Sequence, residues 1–466
     1  MEIYNIAYNL YVQDGEHEPK QMTNFTPVIE TAYYPLESSQ DDIPAYLGIQ
    51  LILEDGSVRS LTLPMTSNLA RTIVAEEPRA VLLKTGYAPL VQKYIVDQLS
   101  KTGRSGECQR GVYLPGNGTY RLADGQHVTV WNGRVAGSTK LEVPYMIKPT
   151  DTYRITNSID RPVPTLVRAL LENDAALVLP VAYALLVSRR DVLTAEQHPL
   201  QGGLYITGVQ SRGKTTLARR VFGYTERIGT PGKPALMLEA VSTEASVRDT
   251  LSENPGCVVI IDDLAHSSSR TIEAHRKKLG GAMLRLAANE GDSTKKGKTG
   301  KTDHRDCTSG IALTAEFVLD GVSELTRSIF VYLEKKLNLT DDVCPALIGA
   351  VLEEFADWFA DNYDHAIELL HKIVNSPNIP INLRADGADE FTELLTRERR
   401  IQDNLALLQW AFVGMVEMIK ARMELPSSDE HALNEKFWEA VHRSVRKQVT
   451  EFRRIQSQLK EGNIAF

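Results

Sequence analysis

The chain has 466 residues, of which 42% are hydrophobic and 24% charged, and this length and composition predict two or three globular domains with sizeable cores. Its formal net charge of −8 excludes a protein that is basic as a whole, so nucleic-acid binding would depend on local basic clusters. The four cysteines are far apart and lack C-x-x-C spacing, which argues against a zinc site and a disulfide framework.

Residues 1–150 are predicted to form an N-terminal α+β domain. The segment 46–64 alternates in hydrophobicity across Asp55-Gly56, which is typical of a β-hairpin. Helical periodicity follows at 67–74 and again at 90–99. Because no catalytic constellation occurs here, we interpret the region as an assembly or recognition module, through which a protein partner would bind.

The opening Met1-Glu2-Ile3-Tyr4 has neither the basic start nor the apolar core of a secretory signal. Residues 151–200 are predicted to form a helical linker that enters its first helix at Pro162 and Pro164. The apolar stretch 175–187 is too short to cross a bilayer, so it predicts a buried helix. We therefore expect a cytoplasmic protein without a membrane partner.

Residues 201–335 are predicted to form the core domain, and its first element carries the most specific motif of the chain. A short apolar strand leads into Gly208–Thr215, which matches G-x-x-x-x-G-K-[ST] without a mismatch and precedes a helical pattern. In this motif the glycines let backbone N–H groups approach phosphates, the lysine reaches the β- and γ-phosphates, and the hydroxyl binds Mg²⁺. The alternative is an ordinary glycine turn. The nucleotide-binding residues predicted here are Gly208, Val209, Gln210, Ser211, Arg212, Gly213, Lys214, Thr215 and Thr216.

A second strand, residues 258–261, is an unbroken apolar run that ends in Asp262 and Asp263. Such a run is typical of a parallel strand buried on both faces. In a P-loop NTPase the first acid after this strand holds Mg²⁺ and a second acid polarises the attacking water. We assign these roles to Asp262 and Asp263 in that order, the alternative being two helix-capping carboxylates.

Further candidates lie in the rest of this domain. Lys295, Lys296, Lys298 and Lys301 occupy a glycine-containing loop or hairpin between two core strands, where a ring-shaped motor would place an element that contacts DNA; a solvated loop is the alternative. Thr314 ends the strand 311–314, where it would sense the γ-phosphate or merely terminate the strand.

Two arginines of the same domain, Arg305 and Arg327, are candidates for a finger that reaches a neighbouring subunit, and a surface salt bridge is the alternative for each. Residues 336–466 are predicted to form a helical C-terminal domain whose apolar stripes indicate core or subunit contacts. Its last helix carries a basic cluster for which a solvated face is the alternative to nucleic-acid binding, namely Arg443, Arg446, Lys447, Arg453 and Arg454.

From about residue 45 to about 440 the chain resembles the helicase-like family known as "domain of unknown function 927", which occurs in phages, plasmids and integrated elements. The resemblance implies an ATPase with a RecA-like or AAA-type core. The segments that carry it are Leu114-Pro115-Gly116, Gly213-Lys214-Thr215-Thr216, Asp262-Asp263, Asn289-Glu290-Gly291 with the lysines after it, and Thr314-Ala315-Glu316.

The chain departs from that family at two positions. Asp263 stands where the family has glutamate, which shortens the water-polarising arm by one methylene, and Arg212 enters the loop where a small residue is usual. The first departure leaves Glu290 and Glu316 open as alternative catalytic acids.

These observations together predict an α/β P-loop NTPase with a mostly parallel sheet, which uses ATP and Mg²⁺. The function predicted is an ATP-hydrolysing DNA translocase or helicase of a mobile genetic element, working as a homo-oligomeric ring such as a hexamer. The alternative is a signalling or anti-phage defence NTPase whose nucleotide state controls assembly with a partner. A small-molecule kinase is a third interpretation, which the large flanking domains disfavour.

Overall fold

The computed structural model describes residues 2–36, 42–105, 108–150, 152–230, 232–288, 294–296, 302–304, 307–376 and 399–460. Within these residues the strands are β1 (Glu2–Ile6), β2 (Asn9–Gln13), β3 (Lys20–Gln21), β4 (Phe25–Pro35), β5 (Tyr46–Leu53), β6 (Val58–Pro64), β7 (Gln109–Leu114), β8 (Gly118–Arg121), β9 (His127–Trp131), β10 (Arg134–Val135), β11 (Tyr145–Ile147), β12 (Tyr153–Ile155), β13 (Gly203–Thr207), β14 (Thr225–Arg227), β15 (Met237–Glu239), β16 (Val258–Leu264), β17 (Thr294–Lys296), β18 (Thr302–His304), β19 (Gly310–Ala315) and β20 (Ser328–Tyr332).

The α-helices of the same residues are α1 (Leu69–Glu76), α2 (Ala88–Ser105), α3 (Pro162–Glu172), α4 (Val178–Ser188), α5 (Arg190–Ala195), α6 (Lys214–Phe222), α7 (Glu244–Glu253), α8 (Arg270–Ala287), α9 (Val322–Thr326), α10 (Pro345–Asp361), α11 (Tyr363–Asn375), α12 (Arg399–Arg422) and α13 (Ser427–Lys460). Every helix described is either too short or too polar to span a lipid bilayer.

The first compact unit comprises residues 1–115, 121–126 and 140–149. Its main sheet has the strand order β11-β7-β4-β5-β6, in which β5 and β6 form the antiparallel hairpin predicted across Asp55-Gly56. Helices α1 and α2, also predicted, contribute Ile73, Val91 and Ile95 to a core shared with the sheet. A separate small sheet, β1-β2-β3, belongs to the same unit.

The second unit comprises residues 116–120, 127–139 and 150–466, and it is organised around a five-stranded parallel sheet. The strand order is β15-β16-β19-β13-β20, so β19 lies between the strand that precedes the glycine loop and the strand that carries the two aspartates. All five residues of β13 and the first four of β16 are buried, as expected of parallel strands covered on both faces.

The helices that cover this sheet share a single hydrophobic core with it. All eleven residues of α4 are buried, which confirms the buried helix predicted from the stretch 175–187. At the sheet edge, the Gln448 amide of α13 donates to the Ser328 carbonyl oxygen of β20 at 2.7 Å.

The two units divide the chain differently from the four predicted segments. Strands β9 and β10 lie in the second unit, because Trp131 is fully buried in its core and the Arg134 guanidinium pairs with Glu353 and Asp357 of α10 at 2.9 and 2.8 Å. The C-terminal helices also share one hydrophobic core with the parallel sheet and are not a separate compact unit. Contacts between residues distant in sequence therefore decide where the first unit ends and why the C-terminal helices join the second.

Between α8 and β19 the chain forms a short two-stranded ribbon. Strands β17 and β18 pair antiparallel, with Lys295 opposite Asp303. Of the four predicted DNA-contacting lysines, Lys295 and Lys296 lie in β17, whereas Lys298 and Lys301 lie outside the described residues. Arg305 and Glu290 also lie outside them.

Candidate functional site

The loop 208–213 connects the carboxyl end of β13 to the first residue of α6. Gly208, Ser211 and Gly213 have positive φ values of 156°, 63° and 96°, so three of the six loop residues adopt a backbone conformation that L side chains rarely allow. A glycine is required at the first position, because a Cβ on Gly208 would lie 2.8 Å from the Leu333 carbonyl oxygen. Backbone turns of this kind direct successive N–H groups inward and form anion-binding concavities.

Lys214 begins α6 and is only 9% exposed. Its ammonium donates to the carbonyl oxygens of Gly208 at 2.8 Å and Val209 at 3.1 Å, so the side chain lies along the loop that precedes it. Burial lowers the pKa of this ammonium, while the carboxylates of Glu316, Asp263 and Asp262 act in the opposite direction. The lysine is thus a desolvated cation held at the loop by carbonyl dipoles and nearby acids.

Thr215, Asp262 and Thr314 form a hydrogen-bonded cluster at the carboxyl edge of the sheet. The hydroxyls of Thr215 and Thr314 both donate to Asp262 Oδ1, at 2.9 and 2.5 Å. The position of β19 between β13 and β16 explains why Thr314 joins this cluster. A hydroxyl and a carboxylate oxygen are hard ligands that suit Mg²⁺, so Thr215 and Asp262 fit a metal that keeps several of its waters.

Asp263 is placed by an irregularity at the end of β16. The pairing with β19 shifts register between Ile261 and Leu264, and Asp263 itself has a φ of 70°. Its backbone N–H donates to Thr314 Oγ1 at 3.0 Å. This turn directs the carboxylate away from the sheet, where 64% of the side chain is exposed.

Arg276 of α8 holds one oxygen of the Asp263 carboxylate. Its Nη2 lies 3.3 Å from Asp263 Oδ2, and its Nη1 donates to the Ala265 carbonyl oxygen at 2.7 Å. Because the guanidinium is anchored on the backbone and only 15% exposed, it restricts the orientation of the aspartate. Sequence reasoning missed Arg276, since an arginine on an amphipathic helix carries no motif.

A cavity of about 560 Å³ brings many of the predicted site residues together. Its wall includes loop residues, the start of α6, Asp263, Thr314 and Glu316, the last of which is one of the two alternative acids. It also includes residues that sequence reasoning did not single out, namely Arg220, Lys336, Leu337, Asn338 and Leu339. The cavity therefore extends beyond the residues of the predicted phosphate-binding loop.

Arg327 lies away from this cavity. It precedes β20, at the amino end of a strand whose carboxyl end borders the loop, and it is 5% exposed. Its guanidinium donates to the carbonyl oxygen of Ser323 at 2.6 Å. Both the burial and this bond fit a residue that stabilises the end of α9 better than one that reaches another subunit.

Three of the basic residues predicted on the last helix are neutralised by acids of the same unit. Arg443 pairs with Asp174 at 2.6 Å, Lys447 with Glu451 at 2.6 Å, and Arg454 with Asp320 at 2.9 Å. These pairs favour a structural role over nucleic-acid binding.

Replacing Gly208 by alanine is expected to damage the loop, because the new Cβ would collide with the Leu333 carbonyl oxygen in a backbone conformation that L-residues rarely adopt. Strain of this kind costs about 1–3 kcal/mol in the free energy of unfolding. Gly229→Ala is a matched control, since Gly229 also has a positive φ, of 79°, but a Cβ added there would meet no atom within 4 Å. Urea unfolding of both variants tests this; equal stability of the two would contradict the close contact.

No family model matches the chain, and no curated protein matches it by sequence. The resemblance to the "domain of unknown function 927" family is therefore carried by its motifs alone. A solved structure described as "SCCmec type IV Cch - active helicase" is 13% identical, with a TM-score of 0.60 over 96% of this chain and 79% of that one. This likeness shows a shared mixed α/β fold. A structure of JCV helicase with a bound small molecule is 12% identical over 60% of each chain, and its TM-score of 0.22 is too low to indicate a shared fold.

Proposed function

We propose that this chain is a P-loop ATPase that acts on DNA as an oligomeric translocase or helicase. The loop 208–213, Lys214, the Thr215 and Asp262 pair and the exposed Asp263 carboxylate form a set of groups that suits hydrolysis of a nucleoside triphosphate with Mg²⁺. The solved structure that shares the fold is itself described as an active helicase, which supports the same proposal.

Each of these groups would have a different role in ATP hydrolysis. The loop N–H groups and the Lys214 ammonium would stabilise charge on the phosphates, and Thr215 and Asp262 would hold the metal. Asp263 orients the attacking water, and Arg276 fixes the carboxylate that does so. When bound, Mg²⁺ would neutralise charge that develops on the β- and γ-phosphate oxygens.

The observation that carries the motor proposal is the attachment of the ribbon. It is inserted between α8, whose Arg276 contacts Asp263, and β19, whose Thr314 contacts Asp262. The Arg190 guanidinium ties the two ends of this insertion together, because it donates to the carbonyl oxygens of Ala287 at 2.6 Å and Ser309 at 2.8 Å. The ribbon is thus joined at its two ends to elements that contact the two acids, and we propose that α8 and β19 couple its movement to them.

We also propose that the chain assembles with copies of itself. Two arginines whose side chains are described near the cavity are already engaged: Arg276 by Asp263 and Ala265, and Arg220 by the carbonyl oxygens of residues 339, 340 and 343. A finger donated by a neighbouring subunit would supply an arginine that neither Arg276 nor Arg220 provides, as in other P-loop enzymes. The first compact unit would serve recognition of a partner.

Replacing Lys295, Lys296, Lys298 and Lys301 by alanine is expected to abolish DNA-stimulated ATP hydrolysis while basal hydrolysis stays near the wild-type rate. Lysine contacts to phosphates are independent of sequence and weaken steeply with salt, so the stimulation should also fall as salt is raised. The measurement is phosphate release with and without single- and double-stranded DNA.

A matched control removes the same charge from exposed lysines elsewhere, with Lys20, Lys93, Lys140 and Lys372 replaced by alanine. The control should respond to DNA as the wild-type protein does. If both variants lose stimulation equally, the effect is one of net charge and the ribbon has no special part. If DNA never stimulates the unmodified protein, an NTPase that signals through partner assembly becomes the better proposal.

A further inference from the structure

The cavity extends beyond the phosphate-binding loop along one face of α6. Thr216 and Arg220 both line it, and residues four apart on a helix lie on the same face about 6 Å apart along the axis. The triphosphate of a nucleotide would lie at the loop, beside Lys214. The remaining length of the cavity therefore suits the sugar and base of the nucleotide.

The wall that faces this part of the cavity is residues 336–339, and it is held in place from several directions. The Leu337 backbone N–H donates to the Arg212 carbonyl oxygen at 3.0 Å. Just beyond the wall, the Thr340 carbonyl oxygen accepts from Arg220 at 2.8 Å, and the Thr340 N–H donates to Asn173 Oδ1 at 2.9 Å. The wall is thus anchored to the loop, to α6 and to the residue that follows α3.

The side chains of this wall divide into two classes. Leu337 and Leu339 are half-buried and pack against the hydrophobic core, whereas Lys336 and Asn338 are exposed. The Asn338 amide has no hydrogen-bond partner among the described residues, in contrast to Asn173, whose amide is committed to Thr340. Asn338 therefore offers both a donor and an acceptor at the cavity.

We propose that residues 336–339 form the nucleoside-binding wall and that Asn338 selects adenine. An asparagine amide pairs with adenine through two bonds, accepting from the N6 amino group and donating to N7. Guanine has acceptors at both O6 and N7, so it matches the amide at only one of them. This inference rests on the proposed function, because it requires phosphates at the loop 208–213.

The test is titration calorimetry of the full chain with ADP, GDP and inorganic pyrophosphate, none of which carries a γ-phosphate to be hydrolysed. The wild-type protein should bind ADP about tenfold more tightly than GDP, as expected for one bidentate base contact. Asn338→Ala and the similarly sized, uncharged Asn338→Leu, both of which lose the donor and the acceptor, should each weaken ADP about tenfold. Pyrophosphate affinity should not change in either variant. Glu334→Ala, an exposed neighbour outside the cavity, is the control and should match the wild type.

The outcomes separate this inference from the proposed function. If ADP and GDP bind the wild type equally, or if the Asn338 variants weaken pyrophosphate as much as ADP, the base-selecting role is wrong while the phosphate site stands. If none of the three probes binds the wild type, the phosphate site itself is wrong.

Discussion

Lys214→Ala is expected to reduce ATP hydrolysis by roughly 10²–10³-fold or more, because loss of one preorganised group that stabilises transition-state charge has an effect of this size. Lys214 is the buried cation of the loop, and its ammonium already lies within hydrogen-bonding distance of two loop carbonyls. Moving it onto the phosphates requires no large rearrangement. The measurement is steady-state phosphate release at saturating ATP and Mg²⁺.

Because Lys214 also bonds the loop, the variant must be shown to be folded. A thermal melt that remains cooperative separates lost chemistry from lost structure. Lys233→Ala is the matched control, since Lys233 is an exposed lysine of the same unit that does not line the cavity. It should hydrolyse ATP at the wild-type rate. Wild-type turnover by a folded Lys214→Ala protein would remove the basis for the loop as the nucleotide site.

Asp263→Asn is expected to bind ATP normally and to hydrolyse it roughly 10²–10⁴-fold more slowly, the range typical of a lost acid–base group. Asparagine is the appropriate substitution, because it tolerates the positive φ of 70° at this position and removes only the charge. Among the described residues, Asp263 is the acid that both lines the cavity and pairs with an arginine, Arg276. Single-turnover kinetics together with ATP binding measure the two effects separately.

Glu316→Gln is the companion variant. Glu316 lines the same cavity, and of the three acids that counter the lowered pKa of Lys214 it acts most strongly. If Glu316→Gln is slow and Asp263→Asn is fast, the water-orienting role belongs to Glu316. If both are equally fast, neither acid activates water and the hydrolysis mechanism given above is wrong.

Several features of the fold could be predicted from the sequence because they depend on local patterns. The unbroken apolar run before Asp262 indicated a strand buried on both faces, and the stretch 175–187 indicated a helix buried all round. The glycine positions of the loop 208–213 were also visible, since positive φ values restrict the residue type at each turn. In these elements the backbone conformation and the residue choice are set over a few neighbouring positions.

Other features depend on pairings that a single sequence does not reveal. The contact between Thr314 and Asp262 exists because β19 lies between β13 and β16, and this strand order is a property of the whole sheet. Arg276 reaches Asp263 from the next helix, and Asn338 enters the cavity wall because Arg220 and Asn173 hold the adjacent chain. None of these contacts has a short sequence signature.

The measurement that tests the central claim most directly is ATP hydrolysis by the purified full chain, with and without single- and double-stranded DNA, at low and at physiological salt. We expect Mg²⁺-dependent phosphate release that rises when DNA is added at low salt and loses much of this stimulation as salt increases. Absence of phosphate release under every condition would contradict an ATPase. Hydrolysis that ignores DNA at low salt would contradict a DNA-driven motor while leaving the nucleotide site intact.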